Sequence, residues 1–133
     1  MSTASYADVV EGVRAAIAAY THALDDGRTD DVVATFCVDG GCDIPRFGRF
    51  EGHDALRRGY ARWKPGRPLR HLVVNTLVGE WSGGEEVTAV SDVVVLVKDE
   101  SGWKITVVGR YRDRLRHEDG AWRFQHRAAE FVE

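Results

Sequence analysis

The second half of the chain consists of four long stretches rich in β-branched and other apolar residues. Glycine, serine and aspartate fill the short links between these stretches, and links of this kind favour direct antiparallel pairing of consecutive strands. This pattern constrains the fold strongly, because a sheet of four long strands must be covered on at least one face. The predicted strands comprise residues 69–81, 86–98, 103–116 and 121–132.

The cover is predicted to come from helices that precede the strands. Apolar residues recur every three or four positions from Tyr6 to Asp25, which predicts an amphipathic helix that Gly27 terminates. The other predicted elements are a short helix at 29–36, a break at 39–41, short strands at 42–44 and 48–51, and a helix at 53–63. We therefore expect an α+β fold in which three helices pack in the concave face of a curved, mainly antiparallel sheet with an internal cavity.

Size and charge narrow the class of protein. A chain of 133 residues with 44% hydrophobic content suits one compact domain, residues 1–133. A formal net charge of -3 gives no field that would attract nucleic acid or an anionic membrane. No apolar run approaches the roughly 20 residues that span a bilayer, and the amino terminus lacks the features of a signal peptide. We expect a soluble, cytoplasmic protein with no nucleic-acid or membrane partner.

The predicted sheet has an unusual outer face. The strand segment from Val87 to Val97 is apolar on both faces, so one face would pack on the helices and the other on a second copy of the chain. A homodimer is the predicted assembly. The alternating arginines nearby have acidic neighbours, which favours a solvated or interface face over a nucleic-acid site. These arginines are Arg110, Arg112, Arg114 and Arg116.

A candidate acid/base site lies in the first predicted long strand. His71 and Asn75 are polar residues on one side of an apolar strand, where the two-residue period would direct both into the same interior space. Asp25, at the end of the first helix, is the carboxylate proposed to bind the imidazole. Such a contact fixes the tautomer and makes His71 a general base. Tyr20 would donate a hydrogen bond to a substrate carbonyl or departing hydroxyl.

Each of these residues also has a structural interpretation. His71 would serve equally as a core histidine bonded to a backbone carbonyl, and Asp25 as the first residue of a turn that faces water. Tyr20 lies on the apolar stripe of its helix, where packing is an alternative role. The predicted substrate-binding residues are Asn75, Trp63, Tyr60, Phe50 and His126. His126 shares the parity of Phe124, so Arg127 should point the other way unless a bulge shifts the register.

No metal or cofactor is expected from the sequence. The five histidines are scattered, and Cys37 and Cys42 form no CxxC pattern, so metal-ligand spacing is missing. The two cysteines are too few for a disulfide framework and are predicted to be small core residues or free thiols. The glycine pairs lack the strand-loop-helix setting and lysine of a phosphate-binding loop.

Five segments together resemble a known family. They are YTHALDDG at 20–27, FGRFEGHDAL at 47–56, RHLVVN at 70–75, GRYRDRL at 109–115 and DGAWRF at 119–124. In this order the chain is similar to the SnoaL-like branch of the nuclear-transport-factor-2-like superfamily, whose fold is a cone of helices and curved sheet. The resemblance covers nearly the whole chain.

The resemblance also implies an activity. Scytalone dehydratase, the bile-acid dehydratases and the lindane dehydrochlorinase eliminate water or chloride with an aspartate of the first helix and a histidine of the first long strand, the positions of Asp25 and His71. Tyr20 precedes Asp25 by five residues, as a tyrosine does in the bile-acid dehydratases. The implied function is a cofactor-independent lyase or isomerase acting on a small, mostly apolar cyclic substrate. A non-catalytic ligand-binding module or accessory subunit of this fold remains the alternative.

Overall fold

The computed structural model describes residues 4–132. Residues 1–3, on which part of the signal-peptide prediction rests, lie outside the described residues, as does residue 133. Three helices lead the chain, α1 at Tyr6–Asp25, α2 at Thr29–Ala34 and α3 at His53–Ala61. None of these helices within residues 4–132 is long and apolar enough to cross a bilayer.

The first helix forms where the apolar periodicity predicts it. Ser5 caps its amino terminus, since the Ser5 side chain accepts a hydrogen bond from the Asp8 N–H while the Asp8 carboxylate accepts one from the Ser5 N–H. Beyond its end, Gly27 adopts a positive φ of 70°, the conformation that glycine takes most readily. The helix buries one face, formed by Val9, Val13, Ala16, Ile17, Tyr20, Ala23 and Leu24.

Six strands form one sheet in the order β2-β1-β6-β5-β4-β3. The last four pair as consecutive antiparallel neighbours, so the meander predicted from the short turns is confirmed. The three helices pack against this sheet, as the predicted α+β fold requires. The strands are β1 at Phe36–Ile44, β2 at Gly48–Glu51, β3 at Leu69–Val78, β4 at Glu86–Asp99, β5 at Gly102–Glu118 and β6 at Ala121–Phe131.

The prediction for residues 36–44 was wrong in one respect. The Asp39-Gly40-Gly41 run does not separate a helix from a strand, because it lies inside β1. This strand pairs with β6 in parallel, a long-range contact that the local sequence does not encode. A Cβ atom on Gly40 would lie 2.5 Å from the Phe124 carbonyl oxygen. The glycine therefore permits close approach of the two backbones.

Two bulges change which side chains face the helices. The pairing of β3 with β4 shifts by one residue between Val74 and Leu77. The pairing of β5 with β6 shifts between Arg114 and Leu115, so that β6 carries one extra residue, Gln125. An extra residue reverses the side to which all later side chains of a strand point. The bulge in β6 precedes Ala129 and Phe131, which line the internal cavity, and so decides which side chains of β6 face it.

The outer face of the sheet exposes apolar side chains. The half-buried Val94 and Leu96 continue into a patch that includes Leu72, Val74, Ile105 and Val108, each at least 43% exposed. The arginines beyond this patch pair with acidic groups, Arg110 with Asp92 and Arg112 with Glu130. This arrangement agrees with the solvated or interface face expected from the alternating arginines.

Candidate active site

A cavity of about 300 Å³ lies between the helices and the inner face of the sheet. Its walls are mostly aliphatic and aromatic, and the polar groups among them are few. A site of this composition suits a small apolar ligand that a few polar groups orient. The lining consists of Tyr20, Leu24, Ile44, Pro45, Arg46, Phe47, Tyr60, Trp63, Leu69, His71, Val93, Val95, Val97, Thr106, Val107, Tyr111, Ala129 and Phe131.

Asp25 and His71 meet at one wall of this cavity. The imidazole Nδ1 lies 2.6 Å from Asp25 Oδ1, and the side chains are only 9% and 6% exposed for His71 and Asp25 respectively. The backbone N–H of His71 also donates to the carboxylate, at 3.0 Å from Oδ2 and 3.2 Å from Oδ1. The neutral ring that fits a carboxylate acceptor carries its proton on Nδ1, which leaves Nε2 as a base.

The position of Asp25 explains why it needs these donors. It is the last residue of α1, where the helix dipole disfavours a negative charge, and its side chain is buried. A buried carboxylate is stabilised by hydrogen bonds to its charged form, and His71 supplies one from the ring and one from the backbone. Asp25 is therefore not the water-facing turn residue of the alternative interpretation.

Tyr20 and Tyr60 form a buried phenol pair. Their hydroxyl oxygens lie 2.6 Å apart, and both rings line the cavity. Burial raises the pKa of Tyr20 far above its usual range, and it raises the pKa of Tyr60 in the same way. Both phenols are therefore protonated at neutral pH. One hydroxyl donates to the other, and the second proton is available for a ligand.

Arg127 is a site-proximal residue that the sequence interpretation missed. Its side chain is fully buried, and its Cζ lies 3.5 Å from the centroid of the Tyr111 ring and 4.3 Å from that of Tyr20. The Arg127 Nε lies 3.1 Å from Oδ1 of buried Asp113, although the alignment is too poor for a hydrogen bond. The guanidinium is thus held by ion pairing and by the faces of aromatic rings.

A β6 bulge explains this placement. The extra residue at Gln125 turns Arg127 inward and takes His126 out of the cavity lining, the reverse of what strict alternation from Phe124 predicts. A bulge has no clear local sequence signal. The sequence offered one hint, since Asp113 alternates with the arginines of β5 and therefore lies on the opposite face of that strand.

Comparison with models of known protein families identifies the family of this domain. A model of the SnoaL-like domain matches residues 5–128 of the chain. The chain belongs to the SnoaL-like family. A search of curated protein sequences gives no significant match.

Solved structures resemble this SnoaL-like domain over almost its whole length. A protein of unknown function from Mycobacterium tuberculosis is 26% identical with a TM-score of 0.84, covering 97% of this chain and 79% of that one. A candidate scytalone dehydratase from Novosphingobium aromaticivorans is 20% identical with a TM-score of 0.80, over 93% and 84% of the two chains. The beta subunit of a candidate aromatic-ring-hydroxylating dioxygenase from the same organism is 22% identical with a TM-score of 0.78, covering 97% of this chain and 93% of that one. The last two likenesses show the fold.

The remaining site residues of the SnoaL-like domain divide into two groups. Trp63 and Tyr60 line the cavity, and their role in binding a substrate stays a prediction. Asn75, Phe50 and His126 do not belong to the cavity lining. Their side chains therefore do not occupy the positions that were predicted for contact with a ligand in this cavity.

Asn75 and Phe50 have identifiable partners elsewhere. The β3 bulge puts Asn75 in a left-handed conformation with φ of 56°, and its amide donates to Asp92 on the outer side at 3.0 Å. Thr76 turns towards Ser91 instead, with their hydroxyl oxygens 2.9 Å apart. The ring of Phe50 packs on Phe47, 5.3 Å between centroids, behind the cavity wall.

The two cysteines do not belong to the cavity lining. Cys37 and Cys42 are free and buried, and burial raises the pKa of Cys42 to about 11, so its thiol is protonated near neutral pH. Among residues 4–132, no three His, Cys, Asp or Glu side chains come together in a metal-binding arrangement.

Proposed function

We propose that this SnoaL-like domain is a cofactor-independent lyase of the dehydratase type, or an isomerase, that acts on a small, mostly apolar cyclic substrate. The observation that carries the proposal is the 2.6 Å contact between His71 Nδ1 and Asp25 Oδ1 at the wall of an apolar cavity. A histidine whose second nitrogen is free towards a ligand-sized space is equipped for proton transfer.

In the proposed reaction, Nε2 of His71 removes a proton from a carbon next to a carbonyl group of the substrate. The electron pair of the broken C–H bond forms a C=C bond, and the bond from the adjacent carbon to its hydroxyl breaks. The imidazolium returns the proton to the departing oxygen, which leaves as water. If instead the proton returns to a different carbon, the same base performs an isomerisation. Neither route requires an oxidant or a reductant.

Asp25 and the phenol pair have separate roles in this scheme. Asp25 holds the ring in the orientation and tautomer that leave Nε2 unprotonated, and it stabilises the imidazolium that forms. Tyr20 or Tyr60 donates a hydrogen bond to the carbonyl oxygen, on which negative charge develops as the proton leaves. A donor in a cavity shielded from water stabilises that charge more than a donor in bulk solvent would.

The test uses a probe that reports on the base without knowledge of the natural substrate. In 5-nitrobenzisoxazole, removal of the C3 proton breaks the N–O bond and releases a coloured nitrophenolate. The variant His71→Gln should lower the rate constant for this elimination about 100-fold or more, the typical contribution of a positioned general base. His22→Gln is the matched control, because His22 is an exposed histidine outside the cavity lining.

The result can also contradict the proposal. Equal rates for the parent protein, His71→Gln and His22→Gln would show that His71 is no base in this cavity. A non-catalytic small-ligand binding module would then account better for an apolar space with so few polar groups. Binding of the probe is measured by its competition with a fluorescent cavity ligand. A probe that binds but is not converted at a rate dependent on His71 indicates a binding module and not a lyase or isomerase.

We also propose that two copies associate through the outer face of the sheet. The exposed side chains of Leu72 and Val74 on β3 and of Ile105 and Val108 on β5 are joined through the half-buried Val94 and Leu96 of β4 into one patch across three neighbouring strands. A patch of this kind is a recognised feature of contact surfaces. Light scattering coupled to gel filtration should give the mass of a dimer for the parent protein and of a monomer for Ile105→Asp. A monomeric parent protein would refute this assembly.

A further inference from the structure

The turn between β1 and β2 carries an arginine in an unfavourable backbone conformation. The Phe47 N–H donates to the Ile44 carbonyl oxygen at 3.1 Å, which closes a four-residue turn with Pro45 and Arg46 at its centre. Arg46 has a φ of 66°. Proline followed by a residue of positive φ is the pattern of a type II turn, in which glycine or asparagine normally fills the third position. Arginine there carries backbone strain that glycine, which has no Cβ atom, would avoid.

Strain of this kind points to a role for the side chain. Arg46 is exposed at the mouth of the cavity, and its Cζ lies 5.7 Å from the centroid of the Phe131 ring, which also lines the cavity. The strained turn thus positions a guanidinium at the rim, against an aromatic side chain of the wall.

Arg46 carries a positive charge among the residues that line the cavity. Within residues 4–132, no carboxylate lies within ion-pair distance of Arg46, as is also true of Arg49 on the neighbouring strand. The described lining of the cavity contains no aspartate, glutamate or lysine side chain. An anion at the rim would therefore meet a free guanidinium and no carboxylate of the wall.

From this geometry we infer that Arg46 binds an anionic group of the substrate, so that the substrate is an apolar ring system bearing a carboxylate, sulfonate or similar monoanion. A guanidinium pairs with such a group through two parallel N–H donors. The inference rests on the proposed function, since it assigns the substrate class of the same cavity.

The two ends of the cavity then have different tasks. His71 lies on β3, and Phe131, next to Arg46, lies on β6, three strand positions away in the sheet. At a strand spacing of about 4.8 Å this is a separation of about 14 Å along the sheet. A charge bound at Arg46 would stay clear of the Asp25 carboxylate, and the apolar body would reach the base.

Two dyes of matched shape test the inference. 1-Anilinonaphthalene-8-sulfonate and N-phenyl-1-naphthylamine share the same aromatic body, and only the first carries an anion. Arg46→Asn suits the positive φ and removes the charge, whereas Arg46→Lys keeps a cation. Arg49→Asn is the control, because Arg49 is exposed on β2 outside the cavity lining. Ala129→Trp fills the cavity and shows whether the dyes bind inside it.

We expect Arg46→Asn to weaken binding of the sulfonate about fivefold to tenfold, the range for a partly exposed charge-assisted contact, and to leave the neutral dye unchanged. Arg46→Lys should retain most of the affinity, and added salt should weaken only the sulfonate. Equal losses for both dyes, or no loss for the sulfonate, would overturn the inference while leaving the cavity as a ligand site. If Ala129→Trp folds and still binds both dyes, the cavity takes no ligand and the proposed function fails with the inference.

Discussion

The carboxylate of Asp25 holds both the ring and the main chain of His71. Its oxygens accept from the imidazole at 2.6 Å and from the backbone N–H of the same residue at 3.0 Å. The backbone contact holds the carboxylate in place beside β3, and the ring contact then fixes the orientation of the imidazole. This geometry makes the tautomer of His71 the most direct property to measure.

Replacing Asp25 by asparagine should reverse that tautomer. The asparagine oxygen still accepts from the His71 backbone, but its amide group then faces Nδ1 and donates to it, so the ring proton moves to Nε2. We expect the rate of base-catalysed elimination to fall by about 100-fold or more, as in other sites where this exchange misplaces the proton. Nitrogen-15 chemical shifts of the His71 ring report the tautomer directly.

The control for this exchange is Asp26→Asn. Asp26 is the neighbouring residue, but its carboxylate is 54% exposed and pairs with Arg28 at 3.6 Å. Its replacement should leave both the ring nitrogen shifts and the elimination rate unchanged. If Asp25→Asn keeps the parent nitrogen shifts, the carboxylate does not determine the tautomer.

The phenol pair should be coupled energetically. Removing one hydroxyl from the Tyr20–Tyr60 contact leaves the other buried without its partner, at a cost of about 1–3 kcal/mol in the free energy of unfolding. Tyr20→Phe and Tyr60→Phe should each show this loss in urea denaturation, whereas the double variant should lose less than the sum of the two. Strict additivity would mean that the hydroxyls do not interact.

The bulge in β3 should depend on the residue that adopts the left-handed conformation. Asn75→Val puts a β-branched side chain at a φ of 56° and should lower the free energy of unfolding by about 1–2 kcal/mol. Asn75→Gly fits the same φ and should change it far less. Dye binding in the cavity should be unchanged in both variants, because Asn75 lies outside the lining. A loss of binding in Asn75→Gly would place the amide at the site after all.

Stability should depend on pH through Asp113. Burial raises the pKa of this carboxyl to about 6, and the Arg127 guanidinium opposes that rise. A carboxyl whose pKa is higher in the folded protein than in the unfolded chain stabilises the fold progressively as pH falls from about 6 to about 4, the unfolded value. The free energy of unfolding of the parent protein should therefore rise relative to Asp113→Asn over this interval.

Urea denaturation of the two proteins at several pH values measures this difference, and two-state transitions are required for the comparison. Asp113→Asn should also be less stable at pH 7, by about 3–5 kcal/mol, because it leaves the Arg127 charge buried without an anion. A pH-independent difference would mean that Asp113 titrates alike in folded and unfolded chains. Asp119→Asn, a turn residue at the surface, is the control substitution.

Local sequence accounts for the elements that depend on local interactions. The apolar period of α1, the cap at Ser5 and the positive φ at Gly27 agree with its observed limits of Tyr6 and Asp25. The short turns of the second half gave the antiparallel order of β3 to β6. The contact between Asp25 and His71 was also expected, because the period of β3 directs His71 inward and the family resemblance matches Asp25 to the carboxylate position at the end of the first helix.

Long-range pairing decided the rest. The parallel contact of β1 with β6 converts a predicted break at Gly40 into a strand, and only the position of the Phe124 backbone requires glycine there. The bulges at Asn75 and Gln125 reverse the two-residue period part-way along a strand. A sequence-based prediction carries the two-residue alternation of side chains straight through a bulge. The side chains of Asn75 and His126 were therefore expected to face the cavity.

The sequence by itself determined the α1 helix and the meander, because periodicity, capping and turn chemistry act over a few neighbouring positions, and the family resemblance pointed to Asp25 and His71 as a pair. Only the tertiary structure decided that Arg127 lies buried beneath Tyr111 and that Arg46 stands at the rim. The first depends on strand register, and the second on the contact of Arg46 in the β1–β2 turn with Phe131 of β6. Both depend on contacts between residues that are far apart in the chain.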